Sequence, residues 1–464
     1  MRYGVIAAIS TPPGKGGVAI IRISGDGALE LAERIFTPIS KKPLADYPPR
    51  TAVYGYVRDG EEILDDCILT LFPAPNSYTG EDVAELSIHG GVLLSRRVLE
   101  LIFRAGALAA EAGEFTRRAF INGKLSLTDA EAIGMLLDAK SEEQLRLSED
   151  SQRALLRGSI ESIRASLTDT LSSVYARIDY PEEDLGEFSD GECHDRLKNT
   201  ENELQRLAST YRTGRAIAEG IDTVICGRPN VGKSTMYNLL LGYDAAIVTD
   251  IPGTTRDVLS ATVPLGRVLL RLSDTAGIRG GEGVDAVERI GITRSKESMR
   301  KAELILALFD LSSEPTPEDF ALIDELKSCP GAKICIYTKS ELDKYGSLYR
   351  EATQDGFDAT LSVSVKENPT DAISKLESTV SRLLTDEELS ASTSAIVSTA
   401  RQHAALTAAL DFLRSAIEAL ESGMPQDAVC SDIELALGAI SELDGRAVAD
   451  SVVSDIFSKF CVGK

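Results

Sequence analysis

The run Gly227-Arg228-Pro229-Asn230-Val231-Gly232-Lys233-Ser234 constrains this chain more than any other, because it fits G-x-x-x-x-G-K-[ST] directly after the apolar stretch Val224-Ile225-Cys226. A strand running into such a loop, with a helix behind it, makes a phosphate cradle. The glycines let the backbone N–H groups of the Asn230-Val231-Gly232 turn face the α- and β-phosphates, and Lys233 brings a cation to the β- and γ-phosphates. The Ser234 hydroxyl is a ligand for Mg²⁺. The helix that opens at Ser234-Thr235 adds its positive end. A Gly-rich turn with a chance Lys-Ser would lack both the strand before it and the helical run Met236 to Leu241 after it.

A phosphate loop specifies a nucleoside triphosphate, not its base or its reaction. Gly253-Thr254-Thr255-Arg256-Asp257 stands where a switch threonine, Thr255, reaches Mg²⁺ and the γ-phosphate. Asp274-Thr275-Ala276-Gly277 ends the strand expected at Val268 to Leu272, with Asp274 placed to hold the metal through water and the Gly277 N–H to sense the γ-phosphate. Two more buried strands are expected, at Leu304 to Phe309 and at Lys333 to Tyr337, the second leading into Thr338-Lys339-Ser340-Glu341. A GTPase reads guanine here as Asn-Lys-x-Asp, the carboxylate accepting from the ring N1–H and the 2-amino group. Glu341 can make that paired contact if the loop retreats by about one methylene. Asp343 lies just beyond, and Ser364-Val365-Lys366 stands where a loop supports the base.

Length suggests roughly two to four domains. Lys and Arg number 49 against 72 Asp and Glu, a net charge of −23, which argues against broad nucleic-acid binding while leaving room for a nucleic-acid substrate held by a partner. Cysteines 67, 193, 226, 329, 335, 430 and 461 show no C-x-x-C spacing and read as reduced. The opening residues are too short an apolar run for a signal peptide and no apolar run is long enough to span a membrane, so the expectation is a soluble cytoplasmic protein.

Residues 1–118 read as α+β, with strands expected at Val5 to Ile9, Val18 to Ile23, Ala52 to Val57, Cys67 to Phe72 and Val83 to Ile88. The Gly-rich Thr11-Pro12-Pro13-Gly14-Lys15-Gly16-Gly17 precedes a strand and lacks the Gly-Lys-Ser/Thr ending, so it is no second phosphate loop. His89 reads as a structural side chain rather than a metal ligand. From Thr128 to Tyr211 the pattern is helical, broken at Asp179 to Asp184. Thr128-Asp129-Ala130-Glu131 reads as a capping box, and Ile133, Leu136 and Leu137 as the first apolar stripe. Helical signal resumes near Leu383, with Leu406, Leu410, Leu413, Ile417 and Leu420 on one face. Helical stripes on both sides of the nucleotide-binding stretch suggest one helical domain interrupted by an inserted domain. On composition the last four residues, Cys461-Val462-Gly463-Lys464, read as a frayed end.

These residues carry a resemblance. Thr11-Pro12-Pro13-Gly14, Tyr78-Thr79-Gly80-Glu81-Asp82, Gly113-Glu114-Phe115-Thr116, the phosphate loop with Asn230, Gly253 to Asp257, Val287-Glu288-Arg289-Ile290-Gly291 and the Cys-Val-Gly-Lys ending together resemble the tRNA-modification GTPases of the MnmE/TrmE type, over essentially the whole chain. The resemblance implies a multidomain α/β and α protein. It would comprise an α+β domain at 1–118 that dimerises and binds 5-formyl-tetrahydrofolate or a related reduced folate, a helical domain at 119–217 and 383–464, and a Ras-like GTPase domain inserted at 218–382. It implies hydrolysis of GTP to GDP and phosphate, dependent on K⁺ and Mg²⁺. It also implies joint action with an FAD-dependent partner of the MnmG/GidA type, in a heterotetramer, to place an aminomethyl or carboxymethylaminomethyl group on C5 of the wobble uridine of certain tRNAs.

Carried over by position, the folate contacts are Arg22, Glu85, Lys124 and Lys464. Cations suit the folate's glutamate tail and a carboxylate suits the pterin edge. Cys461 matches the family's C-terminal cysteine. The K⁺ ligands map to Asn230 of the phosphate loop and to Thr249, Ile251 and Thr254 of a nucleotide-binding loop that includes Asp250 and Pro252, and Glu288 maps to the catalytic glutamate. The position after Gly277, where many GTPases carry a glutamine, is Ile278, which cannot hold the attacking water. A rival class, a regulatory GTPase acting on ribosome assembly, calls for an RNA-binding module or basic tail. A P-loop nucleoside kinase calls for an arginine-bearing lid and no guanine loop.

Overall fold

A computed structural model describes residues 4–179, 189–242, 261–273, 297–385, 394–445 and 448–463. The chain divides into two compact units, Met1–Leu137 with Ser441–Lys464 and Asp138–Ile440.

The first unit is built on a seven-stranded sheet of β1 (Ile6–Ile9), β2 (Val18–Ser24), β3 (Phe36–Pro38), β4 (Ala52–Asp59), β5 (Glu62–Phe72), β6 (Val83–His89) and β7 (Leu108–Ala109), in the order β3-β4-β5-β6-β2-β1-β7. Only the β1–β7 pairing is parallel. Alternation sets the buried face: Ala19, Ile21 and Ile23 of β2 and Ala84, Leu86 and Ile88 of β6 point inward. The helices Ala28–Ile35 and Val92–Arg104 cover that face with Leu31, Ile35, Val98 and Ile102.

Downstream, the helices Glu114–Ile121, Leu127–Asp138 and Asp450–Ser458 share Phe120, Leu127, Ala130, Val453 and Phe457. Two expectations are corrected here. The capping box is Ser126 with Asp129: Ser126 N donates to Asp129 Oδ2 at 2.9 Å and Asp129 N to Ser126 Oγ at 3.1 Å. Thr128 instead donates its hydroxyl to Leu443 O at 2.8 Å. The helix therefore begins two residues earlier than the expected cap at Thr128, and it buries Leu127 and Ala130 while Leu136 and Leu137 stay exposed.

The second unit holds a six-stranded sheet of β8 (Ile221–Cys226), β9 (Ala261–Leu265), β10 (Val268–Leu272), β11 (Leu304–Asp310), β12 (Ala332–Thr338) and β13 (Ala359–Ser362), ordered β13-β12-β11-β8-β10-β9. All neighbours are parallel except the β9–β10 hairpin. Every residue of β11 is buried, because both faces are covered. Leu304, Leu306 and Leu308 meet Met236 and Leu240 of the helix Lys233–Gly242 and Ile373 and Leu376 of the helix Pro369–Leu384 in one core. Ile305, Ala307 and Phe309 meet Ile323 and Leu326 of the helix Pro317–Lys327 and Tyr349 in the other. Strand order reverses between β8 and β11, so a crevice opens at their carboxyl ends, where ligands bind in open sheets of this kind.

In the same unit the helix Asp190–Ser209 packs on Ala400–Glu421, which buries Leu406, Leu410, Leu413 and Ile417; Leu420 is only half-buried. The segments on either side of the six-stranded sheet meet: Val397 N donates to Thr210 Oγ1 at 2.9 Å, and a Cβ on Gly214 would lie 2.0 Å from Val397 O. Only glycine permits that approach. No helix among the described residues is long and apolar enough to cross a membrane.

Candidate functional site

The phosphate loop leaves β8 at Gly227, where φ is 143° and a Cβ would lie 2.6 Å from Leu308 O. Asn230 (φ 65°) and Gly232 (φ 105°) continue the turn, and the helix Lys233–Gly242 starts at its end. Asn230, Ser234 and Thr235 are exposed at the loop mouth, whereas Val231 is fully buried and anchors the loop in the core. Lys233 Nζ folds over the loop, donating to Gly227 O at 2.7 Å and Arg228 O at 2.8 Å. Its ammonium is half-buried, and that desolvation lowers its pKa from the usual lysine value. The first-turn N–H groups of the helix have no intrahelical acceptors and face the same mouth.

The loop expected to read the base follows β12. Thr338 is buried, and its hydroxyl donates to Val231 O at 2.7 Å, with Phe309 O 3.2 Å away. Lys339 adopts φ 55° and places Nζ 2.5 Å from Asp310 Oδ2 at the end of β11. Burial acts to raise the Asp310 pKa, but hydrogen bonds from Lys339 and Ser312 outweigh it and hold the carboxyl below its usual value. Glu341 is exposed in the short turn Ser340–Leu342. Asp343 is engaged elsewhere, accepting from Gly346 N at 2.8 Å and pairing with Arg350 at 3.2 Å, so Glu341 is the free carboxylate of the loop. Ser364 Oγ is buried without a partner, Val365 is half-buried and Lys366 exposed. Residues from β8, β11 and β12 thus gather at one end of the sheet. Thr249, Asp250, Ile251, Pro252, Gly253, Thr254, Thr255, Asp274, Thr275, Ala276, Gly277 and Glu288 lie outside the described residues.

The first unit gathers a second constellation. Arg22 and Glu85 face each other across β2 and β6, Nε to Oε1 2.8 Å, and the guanidinium lies 5.1 Å from the Tyr78 ring centre and 5.6 Å from that of Phe115. The two motifs around Tyr78 and Phe115 converge: Tyr78 OH is 2.9 Å from Thr116 Oγ1, and buried Arg118 spans Glu81 (3.1 Å) and Glu114 (2.8 Å). Arg118 was not singled out from sequence. Its placement one turn after Glu114 was the available signal. Lys124 Nζ reaches Pro75 O at 3.0 Å, and its Cγ lies 3.2 Å from where a Cβ on Gly80 would sit.

Cys461, Val462 and Gly463 are not frayed. Val462 pairs with Ala112, Gly113 N donates to Cys461 O at 3.4 Å, and Ser10 Oγ donates to Gly463 O at 3.0 Å. Gly463, at φ 100°, lies so close to Ile9 O that a Cβ would clash at 2.4 Å. This docking brings Gly463 to β1, whose Ala8 pairs with Arg22. Lys464 itself lies outside the described residues. Cys461 is exposed, and the other six cysteines are buried and free.

His89 is held by Asp65, Nδ1 to Oδ1 at 2.8 Å, a hydrogen bond that raises its pKa. Asp66, Asp65 and His89 place possible ligand atoms within 4.8 Å of one another. Each has a protein partner, since Tyr54 OH donates to Asp66 at 2.6 Å and His89 N also donates to Asp65 at 2.8 Å.

Comparison with known proteins covers both units. Residues 5–124 match the family described as GTP-binding protein TrmE N-terminus, and residues 127–461 match the MnmE helical domain. The chain is 36% identical over 459 residues to a protein of Clostridioides difficile named tRNA modification GTPase MnmE, covering 99% of each chain. A Thermotoga maritima protein of the same name is 37% identical over 461 residues, again 99% of each.

Proposed function

The chain belongs to the MnmE family of tRNA modification GTPases, and we propose that it hydrolyses GTP in a K⁺-dependent reaction and, with a flavoprotein partner, modifies C5 of the wobble uridine of certain tRNAs. The observation that carries the GTPase reading is the hydrogen bond from Thr338 to Val231, which sets a base-reading loop beside a phosphate cradle.

In this reading the triphosphate enters between the carboxyl ends of β8 and β12. Lys233, held by its two loop carbonyls, turns its remaining N–H donor to the β- and γ-phosphates, and the helix N–H groups take the α- and β-phosphates. Glu341 accepts from guanine N1–H and the 2-amino group, and the Ser364-Val365-Lys366 loop supports the base. Water attacks the γ-phosphorus, the bond to the β–γ bridging oxygen breaks, and GDP and phosphate leave. Glu288 orients that water. Ser234, exposed at the helix start, suits Mg²⁺ with Thr255, and Asn230, exposed at the loop mouth, suits K⁺ with Thr249, Ile251 and Thr254. Bound there, the two cations would offset negative charge building on the phosphates.

The reading places the folate at Arg22, Glu85, Lys124 and Lys464, with Cys461 beside it, in an α+β domain at 1–118 that dimerises. The Tyr78 ring and the opposed charges of Arg22 and Glu85 suit a pterin bearing a glutamate tail. Residues 218–382 would form a GTPase domain inserted between helical segments 119–217 and 383–464, an arrangement favoured by the meeting of Thr210 and Val397. Nucleoside analysis of tRNA from a deletion strain tests the function. The wobble modification should vanish, return with the parent gene and stay absent with Lys233→Ala; an unchanged nucleoside profile in the deletion strain overturns the reading.

A further inference from the structure

Asp319 is fully buried, yet its oxygens are used unequally. Oδ2 accepts from Thr316 N (2.9 Å), Thr316 Oγ1 (3.0 Å) and Tyr349 OH (3.1 Å), while Oδ1 has no partner. Among the described residues the cation paired with it is Arg228, whose buried Nε lies 3.5 Å from Oδ2 and makes no hydrogen bond of its own. A helix cap explains Thr316 but not an arginine brought to it, since a buried carboxylate left half-paired is costly.

Arg228 belongs to the phosphate loop. Its guanidinium also donates to Ser313 Oγ, and its backbone carbonyl holds Lys233 Nζ at 2.8 Å. A continuous path therefore runs from Asp319, through the Arg228 side chain and then its carbonyl, to the lysine that meets the phosphates. We propose that Asp319 is a positioning residue for the phosphate loop, holding Arg228 so that its carbonyl presents Lys233 to the β-phosphate of a bound nucleoside diphosphate or triphosphate. The inference rests on the nucleotide reading above. Tyr349, fully buried and 5.6 Å from the Phe309 ring, keeps Asp319 from turning away.

The test is GDP binding to the full chain, with Lys233→Ala as the reference for loss of the loop lysine. Asp319→Asn keeps the shape and the acceptor for Thr316 but removes the charge that holds Arg228. It should weaken GDP by about tenfold, the size of a lost charge-assisted contact, and leave kcat at saturating GTP within about twofold. Arg228→Ala should lose a similar factor, and the double variant no more than either alone, a non-additivity that general loosening of the fold does not produce. GDP affinity within about twofold of the parent in Arg228→Ala, a loop change that spares the core, overturns the proposal. Additive losses in the double variant overturn it as well. Should Asp319→Asn fail to fold, Arg228→Ala and Arg228→Lys decide: the lysine retains charge but not the guanidinium's reach to both Asp319 and Ser313, and should bind GDP as poorly as the alanine. A parent protein that binds no GDP removes the nucleotide reading itself.

Discussion

Thr338 donates its hydroxyl proton to the carbonyl of Val231 at 2.7 Å across 107 residues of sequence, with both residues buried. One side chain thereby ties the loop proposed to read the base to the phosphate loop, and disturbing one should disturb the other. Thr338→Val keeps the volume and leaves both the Val231 and Phe309 carbonyls without this donor. The expected cost is about 1–3 kcal/mol of stability with faster GDP release, read by denaturant unfolding and stopped-flow displacement. Unaltered GDP release would mean the tie does not transmit between the loops.

Glu341→Ala should weaken GDP by on the order of a hundredfold while barely changing ADP binding, because a buried base edge left without its acceptor is penalised. Asp343→Ala is the control. Its carboxylate caps Gly346 and pairs with Arg350, so guanine preference should persist. Competition binding with GDP and ADP separates the two acids.

GTP turnover should be markedly faster in K⁺ than in Na⁺ at equal ionic strength, and Asn230→Ala should erase the difference. A site spaced for the larger ion coordinates the smaller one poorly. Equal rates for the parent in the two salts would contradict the cation assignment.

Ile278 cannot hold the attacking water, and the proposed mechanism gives that task to Glu288. Glu288→Ala should lose on the order of a hundredfold in single-turnover rate with little change in GTP affinity, the pattern of an interaction made only in the transition state. Glu282→Ala should match the parent, as a solvated glutamate would. A parental rate in Glu288→Ala would return the water to some other group.

Arg22→Ala and deletion of Lys464 should each weaken 5-formyl-tetrahydrofolate in calorimetry without moving GTP affinity. Docking of Val462 and Gly463 against Ala112 and Ser10 is the structural reason to expect an effect from the chain end. Parental folate binding in both variants would leave that docking a matter of packing alone.

Local pattern was enough for much of this. The phosphate loop followed from its spacing and the strand before it. The strands at Val18–Ser24, Val83–His89 and Val268–Leu272 followed from alternation or apolar runs bounded by turns. Those signals are local because backbone geometry repeats every two residues in a strand and about every 3.6 in a helix. What sequence could not supply is which distant residues meet. Composition made Cys461 to Lys464 a loose end, but pairing with Ala112 and the close approach of Gly463 to Ile9 dock the described part of it. A favourable capping pattern at Thr128 lost to Ser126, because Thr128 found Leu443 in three dimensions. Nothing in the local sequence singles out Asp319 from other acids in a first helical turn. Only the order of β8, β11 and β12 and the burial it imposes brought it to Arg228, because strand order and register, which no local pattern encodes, decide the neighbours of a buried charge.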